Sequence, residues 1–368
     1  MELMITGKQN AMKKIKFIVA AAALACTGCY DEYVKDFERT GIYMPYQYDL
    51  RTFVVGEGMR FDVGVVLGGT ASNGRDRSVR YTVDPALVTD NLAPFLGSDD
   101  EEMEPFTAFQ VMSGASPNGS VSQSYVIDAV KASGISGLTP LPVDCFSLSD
   151  PERMVVRSGR HTATVTVKAD ERFLADPHAS PRPYYALAFR IAEADADVVP
   201  LEKSFAVIAV RYENMLFGNY WHGGVTTVKN DVTGEIVEKN EYPLEIPHDE
   251  SRVYTLTTAA PDALTTSRMG DWEGSLRLTL REDGGIDVAS ADGRYVIEPF
   301  GDGCYFNRAK RLQDRKLVLN YKFSNGDGTT TYIEDVLVFR NRVRDGVSTP
   351  SFSTRAGCCK TFRTSGAS

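Results

Sequence analysis

The sequence has few cysteines, few histidines and no excess of positive charge. Its 368 residues include 6 cysteines and 4 histidines, and so few cysteines exclude a disulfide-dense scaffold. Lys and Arg number 40 against 49 Asp and Glu, a formal net charge of −9. This balance argues against a general nucleic-acid binder, which needs a basic surface. No long segment follows the period of an amphipathic helix.

The motifs of common enzyme classes are also missing. The histidines are scattered, without the paired spacing that gathers zinc; they are His161, His178, His222 and His248. No Gly-x-Ser-x-Gly, Walker or dinucleotide-binding pattern occurs. We therefore predict no enzymatic activity, no metal and no cofactor. The alternative, a hydrolase, would require two carboxylates that face each other across a cleft.

The N-terminal residues have the pattern of a secretory signal peptide. A basic start at 13–16 precedes an apolar run at 17–25 that is too short to anchor the chain across a bilayer. The run ends in Ala-Cys-Thr-Gly-Cys at 25–29, the pattern of a bacterial lipoprotein cleavage site. We predict removal of residues 1–28 and acylation of Cys29, with Cys26 as the alternative lipidation site.

Acidic residues follow the predicted lipidation site. Residues 30–36 read Tyr-Asp-Glu-Tyr-Val-Lys-Asp, which resembles the surface-export signal of Bacteroidetes lipoproteins. This resemblance implies an acyl anchor in outer-membrane lipid and a position on the exterior of the cell. The alternative is that residues 29–37 form a solvated tether that carries no export signal.

The first half of the mature chain alternates short β-rich runs with Gly, Asn, Asp and Pro. At 160–168 the residues Ala163, Val165 and Val167 share one face, which predicts an antiparallel strand packed on a second sheet. Seven similar runs predict a β-sandwich at 38–211. Asp84 and Pro85 predict the start of a short helix. The pattern breaks at 91–139, which we interpret as an insertion, either functional or a solvated excursion.

The second half has the pattern of consecutive hairpins. Runs at 225–229 and 235–239, at 276–280 and 286–289, and at 316–323 and 330–339 are separated by turn residues. With two further runs the chain offers about eight strands, enough to close a small antiparallel barrel. We place this barrel at 212–345 and a flexible tail at 346–368. Asn-Gly-Asp-Gly at 325–328 is interpreted as a hairpin turn rather than a calcium loop.

The remaining cysteines do not suggest a disulfide framework. Cys145 and Cys304 lie in different halves, and Cys358 and Cys359 are neighbours near the C-terminus. Adjacent cysteines form a disulfide only with strain. We predict free or buried thiols.

Several runs resemble two Bacteroidetes families. Those at 42–45 (Ile-Tyr-Met-Pro), 81–88, 141–142 and 185–191 resemble domain of unknown function 1735, an immunoglobulin-like sandwich that follows a lipoprotein anchor. Those at 217–224 and 338–342 resemble domain of unknown function 4361, a calycin-like barrel related to lipocalins. Together the two cover nearly all of 38–345, and the long insertion departs from the first. The resemblance implies an all-β chain that captures glycans beside a SusC/SusD-type transporter, and it brings no catalytic motif.

Aromatic residues are the strongest candidates for ligand binding. The chain has 17 Tyr and 2 Trp, and the C–H face of a sugar stacks on a flat ring. We predict a polysaccharide or glycan site at Tyr220, Trp221, His222 and Trp272, with a purely structural role as the alternative for each. The rival functions are a barrel that carries a small apolar molecule and a structural or adhesive surface protein.

Overall fold

Short strands whose apolar residues alternate with polar ones account for most of the chain. The computed structural model describes residues 39–89, 129, 132–135, 137–245, 252–345 and 347–350. The predicted signal peptide, Cys29 and its alternative Cys26, the tether, most of the 91–139 insertion, and Cys358 and Cys359 lie outside these residues. The predicted all-β fold, a sandwich followed by a barrel, is confirmed. Among the described residues, no helix is both long and apolar enough to cross a membrane.

Within the described residues, ten strands form the two sheets of the sandwich. They are β1 (Gly41–Tyr43), β2 (Tyr48–Val55), β3 (Arg60–Gly68), β4 (Arg77–Val83), β5 (Thr139–Pro140), β6 (Phe146–Leu148), β7 (Arg153–Val156), β8 (Thr162–Ala169), β9 (Tyr185–Ala194) and β10 (Phe205–Asn214). One sheet has the order β1-β3-β8-β6 and the other β2-β10-β9-β4-β7, with β5 beside β9. Short helices are α1 (Ala86–Thr89) and α2 (Glu171–Ala175), with single 3₁₀ turns at Leu201–Lys203 and Leu312–Asp314.

The alternation in β8 orients this strand as predicted. Ala163, Val165 and Val167 are buried in the core between the sheets, and Val165 lies opposite Val63 of β3. The outer face of the second sheet is also apolar and buried, with Leu87 of the predicted helix α1 packed on it. Both faces of this sheet therefore lie against other parts of the chain.

In the described part of the second half, ten further strands form the barrel sheet. They are β11 (Gly218–Asn230), β12 (Ile236–Tyr242), β13 (Val253–Ala260), β14 (Ala263–Thr266), β15 (Leu276–Leu280), β16 (Ile286–Ser290), β17 (Glu298–Phe306), β18 (Lys316–Ser324), β19 (Thr329–Arg344) and β20 (Val347–Pro350). The order is β16-β15-β14-β13-β11-β19-β18-β17, with β12 on β11 and β20 on β19. The three predicted hairpins are confirmed. The tail prediction was wrong for Val347–Pro350, because backbone pairing with β19 gives this polar segment a place in the sheet.

The two end strands of the barrel sheet approach each other without a continuous ladder. A bridge between Gly285 and Tyr305 joins the β16 side to β17, so the barrel is nearly closed. Its interior is filled with leucines and aromatic rings, among them Tyr254, Tyr321 and Phe339. Cys304 of the barrel and Cys145 of the sandwich are buried free thiols, as predicted. Burial raises the pKa of the Cys304 thiol to about 11, so it stays protonated at neutral pH.

Buried ion pairs join the two domains. Glu57, in the turn between β2 and β3, accepts hydrogen bonds from Arg315 at 2.8 Å and from Arg342 at 2.8 and 3.0 Å. The side chains of these arginines are only 2% and 5% exposed. Thr52 of β2 also donates to Asp345 after β19 at 2.6 Å. These contacts fix the end of the sandwich against one end of the barrel.

Candidate functional site

Three of the four predicted glycan-binding residues are buried, and the fourth is partly exposed. Tyr220, Trp221 and His222 are consecutive on β11 and are 0%, 6% and 1% exposed. The Tyr220 hydroxyl donates to the Leu216 carbonyl at 2.9 Å. These three rings therefore offer too little surface to stack on a sugar. Trp272, in the loop between β14 and β15, is half-buried and keeps part of its ring accessible.

His222 belongs to a polar network inside the barrel. The carboxylate of Asp335, which is fully buried, accepts hydrogen bonds from His222 Nε2 and the Tyr242 hydroxyl at 2.8 Å each, and from the Tyr254 hydroxyl at 3.2 Å. The four residues belong to β19, β11, β12 and β13. Burial raises the pKa of both Tyr242 and Tyr254, and the nearby Asp335 carboxylate raises it further. Both tyrosines therefore stay protonated and act as donors.

This network also holds the loop that carries Trp272. The backbone N–H of Gly270 donates to the Tyr254 hydroxyl, and the backbone N–H of Trp272 donates to the Met269 carbonyl at 2.8 Å. Gly270 has φ +56, and a Cβ there would lie 2.9 Å from the Tyr242 hydroxyl. Only glycine fits this turn without strain. The buried carboxylate of Asp335 thus positions, through Tyr254, a loop at the surface.

Trp272 lies in a group of aromatic rings at the barrel end. Its indole N–H donates to the Tyr295 hydroxyl at 3.1 Å. The buried Phe323 ring packs against the indole in a T-shaped arrangement, with ring centroids 5.8 Å apart. The ring centroids of Tyr295 and Phe323 are 4.5 Å apart. The indole is therefore fixed in one orientation while part of it remains open to solvent.

Polar side chains with fixed positions lie beside Trp272. The Asp271 carboxylate accepts hydrogen bonds from Arg252 at 2.8 Å and from the Asn240 amide. The Arg252 guanidinium also lies 5.1 Å from the centre of the Tyr242 ring, a cation–π contact. We call Asn240, Arg252, Asp271, Trp272 and Tyr295 the Trp272 rim. It combines a partly exposed ring with amide, carboxylate and guanidinium groups.

The Trp272 rim lies at the end of the barrel that faces away from the sandwich. Asn240 pairs with Thr226 on β11, eight residues beyond Gly218, or about 26 Å along a strand. At the other end, the Asn214 amide at the close of β10 donates to the Pro261 carbonyl in the turn after β13 at 2.8 Å. The sandwich therefore leaves the rim accessible.

Among the residues that the structure describes, no group of three or more His, Cys, Asp or Glu is placed to hold a metal ion.

The sequence did not indicate three residues of the buried network, Asp335, Tyr242 and Tyr254. Nothing local marks them, because the chain has 49 acidic residues and 17 tyrosines and the network depends on strand pairing between distant segments.

Comparison with solved structures identifies a similar fold. No family model and no curated protein matches the chain. A structure of unknown function from Bacteroides ovatus matches with a TM-score of 0.54 and 17% identity, covering 86% of this chain and 98% of that one. A multidomain protein including DUF1735, also from Bacteroides ovatus, matches with a TM-score of 0.36 and 10% identity, covering 84% and 96%. At 17% identity the first match shows a shared fold alone.

Proposed function

We propose that this protein is a lipid-anchored binding protein of the outer membrane surface that captures a glycan at the Trp272 rim. The observation that carries the proposal is the partly exposed, fixed indole of Trp272 beside the ordered polar groups of Asp271 and Arg252. A sugar presents an apolar C–H face to a ring and hydroxyls to polar partners. Because the rim is already ordered by its own contacts, binding would order few side chains.

The direction in which the rim faces supports display at the cell surface. If Cys29 is acylated, the sandwich lies between the anchor and the barrel, because it precedes the barrel in the chain. The rim is at the barrel end away from the sandwich. The same proposal includes the order of a DUF1735-type sandwich followed by a DUF4361-type barrel, and delivery of the glycan to a SusC/SusD-type transporter.

The proposal assigns no catalytic step to the chain. The carboxylate of Asp335 is fully buried, and Asp271 is engaged by Arg252 and Asn240. Neither carboxylate is placed as one of an opposed pair across an open cleft, the arrangement that glycoside hydrolysis requires. We therefore assign the rim contact with a ligand and no proton transfer.

Replacing Trp272 with alanine should weaken glycan binding at least tenfold, because it removes the ring surface on which a sugar stacks. Protein from Asp31 onward would be screened on an array of host and dietary polysaccharides and then titrated with the glycans retained. Tyr305→Ala is the matched control, since Tyr305 is an aromatic residue 41% exposed on β17 outside the rim. Absence of retention on the whole array, or equal binding by Trp272→Ala, would contradict the proposal.

Replacing Cys29 with serine should release the protein from the membrane fraction of its host, because no thiol remains for acylation. The N-terminal peptide of the wild-type protein should carry the mass of a lipidated Cys29. Cys26→Ser is the matched control and should leave the protein in the membrane. An unmodified N-terminal peptide on a protein that is freely soluble in the periplasm would refute the anchor.

A further inference from the structure

A separate cavity lies where the sandwich meets the barrel, at the opposite end from the Trp272 rim. Its volume is about 440 Å³, and its walls come from the end of β2, the link between β10 and β11, the turns after β13 and β15, and the residues after β17. We call it the junction cavity. Sites for small molecules have volumes of roughly 300–1,000 Å³ and occur preferentially between domains.

The floor of the junction cavity is apolar. Val55 contributes from the sandwich, Met215 from the link between domains, and Pro261, Leu280 and Phe306 from the barrel. Phe306 is buried in the barrel core and the other four are half-buried. Such a floor matches a ligand with an aliphatic or aromatic body.

Three charged side chains, of both signs, lie at the mouth of the junction cavity. Arg308, Asp262 and Glu282 line the cavity and are exposed. Within the described part of the chain, none of these three side chains makes a hydrogen bond or an ion pair. Arg281, which also lines the cavity, differs because it pairs with Asp287 at 2.5 Å. Arg308, Asp262 and Glu282 therefore supply one guanidinium and two carboxylates at this mouth.

The backbone at Arg308 adds a second observation at the same place. Arg308 has φ +56, in the left-handed region that residues other than glycine rarely occupy. Its side-chain stem passes over Gly284, where a Cβ would lie 3.0 Å from the Arg308 Cγ and Cδ atoms. The chain thus holds an arginine in an unfavourable conformation beside an apolar cavity, an arrangement frequently found at binding sites.

We propose that the junction cavity binds a small zwitterion with an apolar body, of the class of apolar α-amino acids. The Arg308 guanidinium donates hydrogen bonds to the ligand carboxylate, the ligand ammonium donates to Asp262 or Glu282, and the ligand side chain packs on Met215 and Phe306. This site is distinct from the Trp272 rim, so the proposal does not depend on glycan binding at the rim.

Titration of the protein from Asp31 onward with L-phenylalanine, L-leucine and L-methionine by calorimetry tests the proposal. Arg308→Asn should weaken L-phenylalanine binding about tenfold, since it removes one charge-assisted contact, and asparagine tolerates the left-handed backbone. Arg308→Lys should restore much of the affinity. Arg311→Asn removes an exposed arginine outside the cavity and should change nothing.

Altered ligands and a local probe complete the test. Phenylalaninamide, which lacks the carboxylate, should bind equally to the wild type and to Arg308→Asn. The Met215 methyl resonance, assigned with Met215→Leu, should shift on addition of L-phenylalanine. No binding of any of the three amino acids at millimolar concentration, binding that leaves the Met215 methyl unmoved, or equal affinity in Arg308→Asn would each overturn the proposal.

Discussion

Replacing Asp335 with alanine should lower the free energy of unfolding of the barrel by about 4 kcal/mol, because three buried donors lose their acceptor. His222, Tyr242 and Tyr254 all donate to this carboxylate, and the four residues belong to β19, β11, β12 and β13. A loss of this size is a large share of the roughly 5–15 kcal/mol that stabilises a domain. Guanidinium denaturation followed by tryptophan fluorescence measures it, since both tryptophans lie in the barrel.

A matched aspartate isolates the effect of burial. Asp287 on β16 pairs with Arg281 at 2.5 Å, with both side chains more than half exposed. Asp287→Ala should therefore cost less than about 1 kcal/mol. Asp335→Asn should fall between the two alanine variants, because the amide keeps the shape and one acceptor oxygen. If Asp335→Ala unfolded at the same guanidinium concentration as the wild type, the network would not stabilise the barrel.

Replacing Glu57 with alanine should cost about 3–5 kcal/mol, since it leaves two buried guanidinium groups without their counter-charge. Arg315 and Arg342 both bind this carboxylate, and they belong to the barrel whereas Glu57 belongs to the sandwich. We expect the domains to unfold separately in this variant. Fluorescence would report the barrel and far-ultraviolet circular dichroism both domains, so the two transitions should no longer coincide.

An exposed pair provides the control for Glu57. Arg75 and Asp195 of the sandwich form two hydrogen bonds of 2.6 and 2.7 Å, with side chains 62% and 37% exposed. Asp195→Ala should change stability by no more than about 1 kcal/mol. Coincident transitions and an unchanged midpoint in Glu57→Ala would show that the Glu57 pairs do not couple the domains.

The pH dependence of the junction has a defined sign. Burial raises the pKa of Glu57, but the hydrogen bonds and charges of Arg342 and Arg315 outweigh burial, and the net pKa is lowered. The stabilisation by Glu57 is therefore fully present above the usual glutamate pKa and is lost as the pH falls through the lowered value. Glu57→Gln should flatten the acid side of the stability profile. Glu213→Gln should not, because burial, only partly offset by Arg211 and Thr258, raises the pKa of Glu213.

Local patterns were sufficient for the strands and hairpins. The alternation of Ala163, Val165 and Val167 defined β8, and turn residues at 230–234, 282–285 and 325–328 marked the three confirmed hairpins. These features depend on neighbours within about 20 residues of chain. The sequence could therefore indicate them before any packing was known.

The candidate site depended on packing between distant segments. Tyr220, Trp221 and His222 had the composition of a sugar site, yet β11 is paired on both edges and its three rings are buried. Leu244 also lies over β11, where a Cβ at Gly223 would be 2.5 Å from its backbone nitrogen. Of the four predicted residues, Trp272 alone keeps accessible surface, because its loop lies at the barrel end that faces away from the sandwich.

The sequence by itself determined the β-structure, the hairpins and the pairing of a sandwich with a barrel, because side-chain alternation and turn chemistry act over short distances along the chain. Tertiary structure alone decided which side chains meet. His222 and Asp335 are 113 residues apart, and Glu57 is 258 and 285 residues from its two arginines. Burial and hydrogen bonding at such separations follow from the order and register of strands, which one-dimensional patterns do not encode.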